Sequence, residues 1–157
     1  MARYEFLTSW CVGAPIERVF AVLEDSAAYL EWWKGVTAVE VLEPGDADGV
    51  GKRARFSWRS VLPYTLRFDS HVTRVEPPYL IESHATGELE GVGVWRLFAS
   101  PDSTAVLYSW KVRTTKPWMN MWGPLPRPAF RWNHDQVMHQ GGLGLARRLG
   151  ASLLLNE

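Results

Sequence analysis

A single cysteine, Cys11, is present, so the chain can form no internal disulfide. A reducing compartment is compatible with this. Neither sign of charge is in excess: 17 Lys and Arg stand against 17 Asp and Glu, a formal net charge of +0. That balance argues against a broad nucleic-acid surface and against a polybasic membrane patch. No apolar run approaches the ~18 residues of a membrane span, so no integral membrane segment is expected. The opening MARYEFLTSW lacks a charged stretch followed by an apolar run and a small-residue cleavage site. No signal peptide is expected, and the cytoplasm is the default location. Repeats, low-complexity tracts and linkers are also missing, so residues 1–157 are read as one domain.

Strong catalytic and metal signatures are absent too. There is no G-x-S-x-G elbow and no H-E-x-x-H pair. Lys52 follows glycines, but Gly45 lies one residue too far upstream for a phosphate loop, and Arg53 replaces the Ser or Thr. Gly142 and Gly144 lack the third glycine of a dinucleotide turn. One Cys and four dispersed His do not give the spacing of a zinc site. Neither cofactor nor metal is expected.

What is abundant is aromatic: nine Trp, five Tyr and six Phe. Trp is large and carries an N–H that needs a partner when buried. Composition leaves two readings open, a Trp-rich packed core or a cavity walled by rigid rings.

The chain opens with a strand, Tyr4–Val12. Pro15 suits a first helical position, and Ile16, Val19, Phe20 and Leu23 follow at helical spacing. Ser26 is placed to cap a second short helix carrying Tyr29, Leu30 and Trp33, ended by Gly35. From Val36 the period becomes two. The strands read as Val36–Leu42, Gly51–Arg59, Tyr64–Val75, Tyr79–Thr86, Val92–Ser100 and Thr104–Thr114. Turn clusters such as Glu43-Pro44-Gly45-Asp46 and Pro101-Asp102-Ser103 separate some of them, so antiparallel neighbours are expected. Alternation puts Trp58, Phe68, Trp95, Tyr108 and Trp110 on one face with Ser70 and Ser83. Arg55, Arg67, Asp69, His71, Glu82 and His84 fall on the other, wet face. A one-sided sheet needs a cover.

That cover is a helix read over Phe130–Leu155, after a Pro- and Trp-bearing loop at Pro117–Pro128. Phe130, His134, Val137, Gly141 and Leu145 share one side of it. Gly141, Gly142 and Gly144 each weaken a helix by roughly 1 kcal/mol relative to Ala. They imply tight packing, a bend, or room for a ligand. The expected fold is therefore α+β: a curved antiparallel sheet of about seven strands around one long C-terminal helix, with two short helices after the first strand.

The sequence resembles the START-like helix-grip superfamily, and within it the polyketide cyclase/dehydrase group. The likeness spans nearly the whole chain. It rests on Ala14-Pro15-Ile16-Glu17-Arg18-Val19-Phe20, on the Trp32-Trp33 pair, on Gly87–Trp95 entering a strand, and on Phe130-Arg131-Trp132-Asn133-His134-Asp135. The resemblance implies a hydrophobic tunnel between sheet and helix that holds lipids, sterols, polyketides or hormones. It also implies that some members catalyse cyclisation or dehydration there.

On that footing Trp58, Phe68, Trp95 and Trp110 are expected as tunnel walls. Tyr64, Tyr108, Ser70 and Ser83 are candidate anchors for a polar end, with Val137 and Gly141 facing from the helix. Asn133 is a candidate to orient a ligand carbonyl, or else a surface amide. His134 is the main candidate for acid or base chemistry, with Tyr108 as its partner. The plainer reading of His134 is a buried histidine satisfied by Tyr108 or a backbone carbonyl. The expected function is binding of a small hydrophobic or aromatic ligand; the alternative is a cyclase or dehydratase. Trp118-Met119-Asn120-Met121-Trp122 is a candidate gate, membrane contact or homodimer surface.

Overall fold

A computed structural model describes residues 3–59, 64–115 and 126–157, without the side chains of residues 126 and 127. The 118–122 loop lies outside the described residues. The chain runs β1 (Arg3–Val12), α1 (Ile16–Glu24), a 3-10 turn (Ser26–Ala28), α2 (Tyr29–Trp32), β2 (Val36–Glu43), β3 (Arg53–Trp58), β4 (Leu66–Glu76), β5 (Leu80–Gly87), β6 (Leu89–Ala99), β7 (Thr104–Thr114), α3 (Pro126–Leu149) and β8 (Leu153–Asn156). The strands form one sheet in the order β2-β3-β4-β5-β6-β7-β1-β8. Each neighbouring pair is antiparallel. This is the helix-grip fold.

The early segments follow their side-chain spacing. Ile16, Val19, Phe20 and Leu23 of α1 are all buried. Pro15 takes the cap position rather than the first turn, at φ −64°. Ser26 does not cap the second helix: it begins the 3-10 turn, and the preceding Asp25 makes no side-chain cap bond.

Most strand ends fall within two residues of expectation, and three further boundaries depart by more. Strand β6 begins at Leu89, ahead of Val92, because Gly87 turns the chain at φ +111° and Leu89 is fully buried. Helix α3 begins at Pro126, ahead of Phe130, since its first turn has no intrahelical use for the missing proline N–H groups. It also stops at Leu149, short of Leu155. Gly150 adopts φ +62°. The Ala151 N–H then donates to the Ala146 carbonyl and the Gly150 N–H to the Arg147 carbonyl, a Schellman ending.

The released residues become an eighth strand on the free edge of β1. Leu155 sits opposite Cys11, and Ser9 and Glu157 exchange backbone hydrogen bonds. An exposed edge is thereby paired.

The glycines of α3 mark its tightest contacts. A Cβ on Gly141 would lie 2.6 Å from the Trp33 indole, and one on Gly142 would lie 2.6 Å from the Asn156 side chain. On Gly144 it would strike the Trp32 backbone carbonyl. Of the three sequence readings, close packing holds, and its partners are α2 and β8. Trp33 also donates from Nε1 to the Val137 carbonyl at 2.8 Å.

The core has two parts. One gathers Trp10, Val19, Leu23, Trp32, Trp33 and Leu145 under α1, α2 and α3. The other gathers Tyr4, Phe6, Leu89, Trp110 and Phe130. Trp58, Phe68 and Tyr108 pack against both. Arg55–Asp69 at 2.8 Å and Arg113–Glu90 lie on the outer face as cross-strand pairs. Such pairs are worth little in water.

Candidate functional site

Where the two parts of the core meet, the side chains leave a cavity of about 460 Å³. This lies in the ~300–1,000 Å³ range of small-molecule sites. Its walls come from the inward face of the sheet and from α3. Trp58, Phe68, Trp95 and Trp110 line it, as do Ser70, Ser83 and Tyr108. So do Tyr64, Asn133, His134 and Val137. Alternation therefore sorted these strand residues correctly. Gly141 is the exception: it does not line the cavity, because the Trp33 indole occupies the space beside it.

Sequence reasoning missed several lining residues. Tyr29 reaches the cavity from α2, Trp33 from the residue that caps it, and Met138 from α3. The Trp32-Trp33 pair was the available signal, but a four-residue helix shows no stripe that sorts inside from outside. Gly93 was also missed. It is an inward position on β6, and a Cβ there would overlap the Tyr108 hydroxyl. A glycine on the inward side of a strand signals such a close approach.

His134 is the most unusual group in the cavity. Its ring lies flat against Phe6, with centroids 3.7 Å apart and planes 17° from parallel. It is also near parallel to Trp110, at 5.3 Å. Only 8% of its surface is exposed. Neither ring nitrogen has a hydrogen-bond partner among the described residues. The expectation of a histidine satisfied by Tyr108 or a carbonyl is thus not met. The Asp135 carboxylate stands 3.6 Å from Nδ1, too far for a hydrogen bond. The ring is also neutral, since burial, assisted by the positive Arg131, pushes its pKa down to about 3. No ion pair forms between them.

Two buried or half-buried tyrosines beside it are uncharged as well. Burial raises the pKa of Tyr108, whose ring packs on Trp95 with centroids 4.1 Å apart. Tyr64 is pushed up to about 12 by burial and shares a hydrogen bond with Asn133. Asn133 is therefore half-buried and paired, not a free surface amide. The indole N–H of Trp58 is buried without a partner among the described residues. Buried polar atoms are almost always paired, so each such atom needs an explanation. No group of three or more His, Cys, Asp and Glu placed to hold a metal occurs among the described residues.

The sequence matches the family model for polyketide cyclase/dehydrase and lipid transport over residues 12–139. The chain belongs to this family. Solved structures agree in fold. The Zhui aromatase/cyclase from Streptomyces sp. R1128 is 16% identical with a TM-score of 0.79, covering 95% of this chain and 94% of its own. A protein from Thermus thermophilus is 19% identical with a TM-score of 0.79, covering 93% and 97%. A START superfamily protein from Mycobacterium smegmatis is 16% identical with a TM-score of 0.74, covering 93% and 97%. No curated protein matches the sequence. No helix among the described residues is long and apolar enough to cross a membrane.

Proposed function

We propose that the protein binds a small, mainly apolar ring compound in the cavity between the sheet and α3. The carrying observation is a cavity of about 460 Å³ walled by aromatic side chains, with hydroxyl and amide groups among its lining. A core optimised only for packing would have closed the gap. In this reading Trp58, Phe68, Trp95, Trp110 and Val137 supply contact area. Tyr64 with Asn133, Ser70, Ser83 and Tyr108 supply polar contacts. The test is native mass spectrometry of the purified protein, followed by organic extraction. A bound small molecule, or a ring compound that raises the unfolding temperature with concentration, is expected. An empty protein that no member of an aromatic panel stabilises would overturn the proposal.

A second reading is catalysis of a cyclase or dehydratase type, with His134 and Tyr108 as acid and base. It is favoured by the open hydrogen-bonding capacity of His134 at the cavity wall. The same burial that creates this capacity makes the ring a weak base before substrate binds. Binding is therefore the primary reading. Turnover of a polyketide-like carbonyl compound, lost in His134→Ala while binding persists, would reverse that order.

A further inference from the structure

The outer face of the sheet changes character from one half to the other. Across β3, β4 and β5 it carries charged residues such as Arg55, Asp69 and His84. Across β6, β7, β1 and β8 much of it is apolar, and strand register sets its side chains in rows. Phe98, Ala105, Cys11 and Leu155 form one row without a charge. The next holds Arg96, Leu107 and Ser9, with Glu157 joined to Ser9 by backbone hydrogen bonds. Ser109 with Leu7, then Lys111 with Glu5, continue the series. Leu7 is 69% exposed, Phe98 51% and Leu155 40%, so this patch turns apolar surface to the solvent.

The charges of the patch have a two-fold pattern about the line that runs along the strands between β7 and β1. Arg96 on β6 stands on one side of that line, and Glu157 beside β8 stands at the matching place on the other. Lys111 on β7 is matched in the same way by Glu5 on β1. None of these four side chains is in an ion pair among the described residues. A half-turn about the line lays β6 over β8 of a second copy, and β7 over β1. Each cation then meets a carboxylate, Phe98 meets Leu155 of the second copy, and Leu7 meets Ser109. A half-turn about a line across the strands would instead press Lys111 and Glu5 onto Ala105 and Cys11, burying charge without a partner. The formal net charge of +0 leaves two copies no long-range repulsion to overcome.

We propose that two copies of this chain pair through the outer faces of β6, β7, β1 and β8, about a two-fold axis lying along the strands between β7 and β1. Sheets packed face to face keep their strands within ~30° of each other, which this axis satisfies. The patch spans four strands at ~4.8 Å and seven residues at ~3.4 Å, a footprint of roughly 450 Å² per copy. That is the small end of specific interfaces, so the dimer is weak and forms at micromolar concentrations. The cavity lies on the opposite face of the sheet, and pairing leaves its lining untouched.

Sedimentation velocity of the full chain over roughly 5–500 µM tests the proposal. The expected result is a sedimentation coefficient that climbs from the monomer value to the dimer value across that range. A monomer throughout would overturn the proposal. Leu7→Glu places a charge at the centre of the patch on a side chain that is already exposed, so the fold is expected to persist, as cooperative unfolding would show. Association of this variant should weaken at least about tenfold. A dimer that survives Leu7→Glu unchanged would place the contact elsewhere, for instance at residues 118–122, and would overturn the assignment. Arg96→Glu should also weaken association, and adding Glu157→Arg should restore it. Strands β7 and β1 separate these two residues within one chain, so a rescue acts only between copies. Failure of the double exchange to restore association would rule out the axis along the strands.

Discussion

A buried histidine ring with no hydrogen-bond partner among the described residues has consequences for stability as well as for binding. Folding holds His134 neutral with a pKa near 3, whereas an unfolded histidine titrates at ~6.5. Between these values the unfolded chain carries more bound proton than the folded one. Stability from this group is therefore complete above about pH 6.5 and falls as pH drops toward 3, by up to ~1.4 kcal/mol per pH unit. His134→Phe should flatten that stretch of the profile, as measured by urea unfolding at pH 7, 6 and 5. An unaltered slope would mean that the ring is solvated in the folded protein. The inward position of His134 was readable from helical spacing, and the strand residues from alternation. The surroundings of its two nitrogens were not readable, because they depend on what every neighbouring element brings to the same place.

At the scale of the element, α3 shows how the same residues can be read in opposite directions. In an ordinary exposed helix, Gly→Ala gains about 1 kcal/mol. At Gly141 the added methyl must displace the Trp33 indole, 2.6 Å away, and endanger its bond to the Val137 carbonyl. Gly141→Ala is expected to lose about 1–3 kcal/mol, the usual range for overpacking. Urea unfolding measures it, and a gain in stability would show that the indole has room to move. The three glycines signalled something special in the sequence, but not which element would press against them. Propensity along α3 says nothing about α2, which lies far earlier in the chain. The end of the helix was obscured for a related reason. Leu153, Leu154 and Leu155 suit a helix as well as a strand, and the left-handed turn at Gly150 together with the vacant edge of β1 decided between them.

For the molecule as a whole, β8 closes an edge that the rest of the described chain leaves open. Removing residues 151–157 deletes the backbone bonds from Ser9 to Glu157 and from Gly13 to Ser152. It also takes Asn156 away from His139. A lower unfolding temperature is expected, with faster hydrogen exchange at the Ser9 and Gly13 amides. None of the deleted residues lines the cavity, so ligand binding below the new unfolding temperature should persist. Slow exchange at both amides after truncation would show that β1 holds its edge without β8. The fold class followed from the order of periodicities, since a one-sided sheet and a late helix have few ways to bury their apolar faces. The cavity was not legible, because packing leaves or fills a space by fractions of an ångström that no pattern encodes. The arrangement of tryptophans around that volume also has an optical meaning. Trp33 lies 4.9 Å from Trp58 and 6.2 Å from Trp95, which is 5.4 Å from Trp10. Excitation migrates readily over such separations, so the indoles emit as a coupled group. Under the proposed binding function, a guest that quenches one of them would dim the others, so intrinsic fluorescence would report its entry without a label.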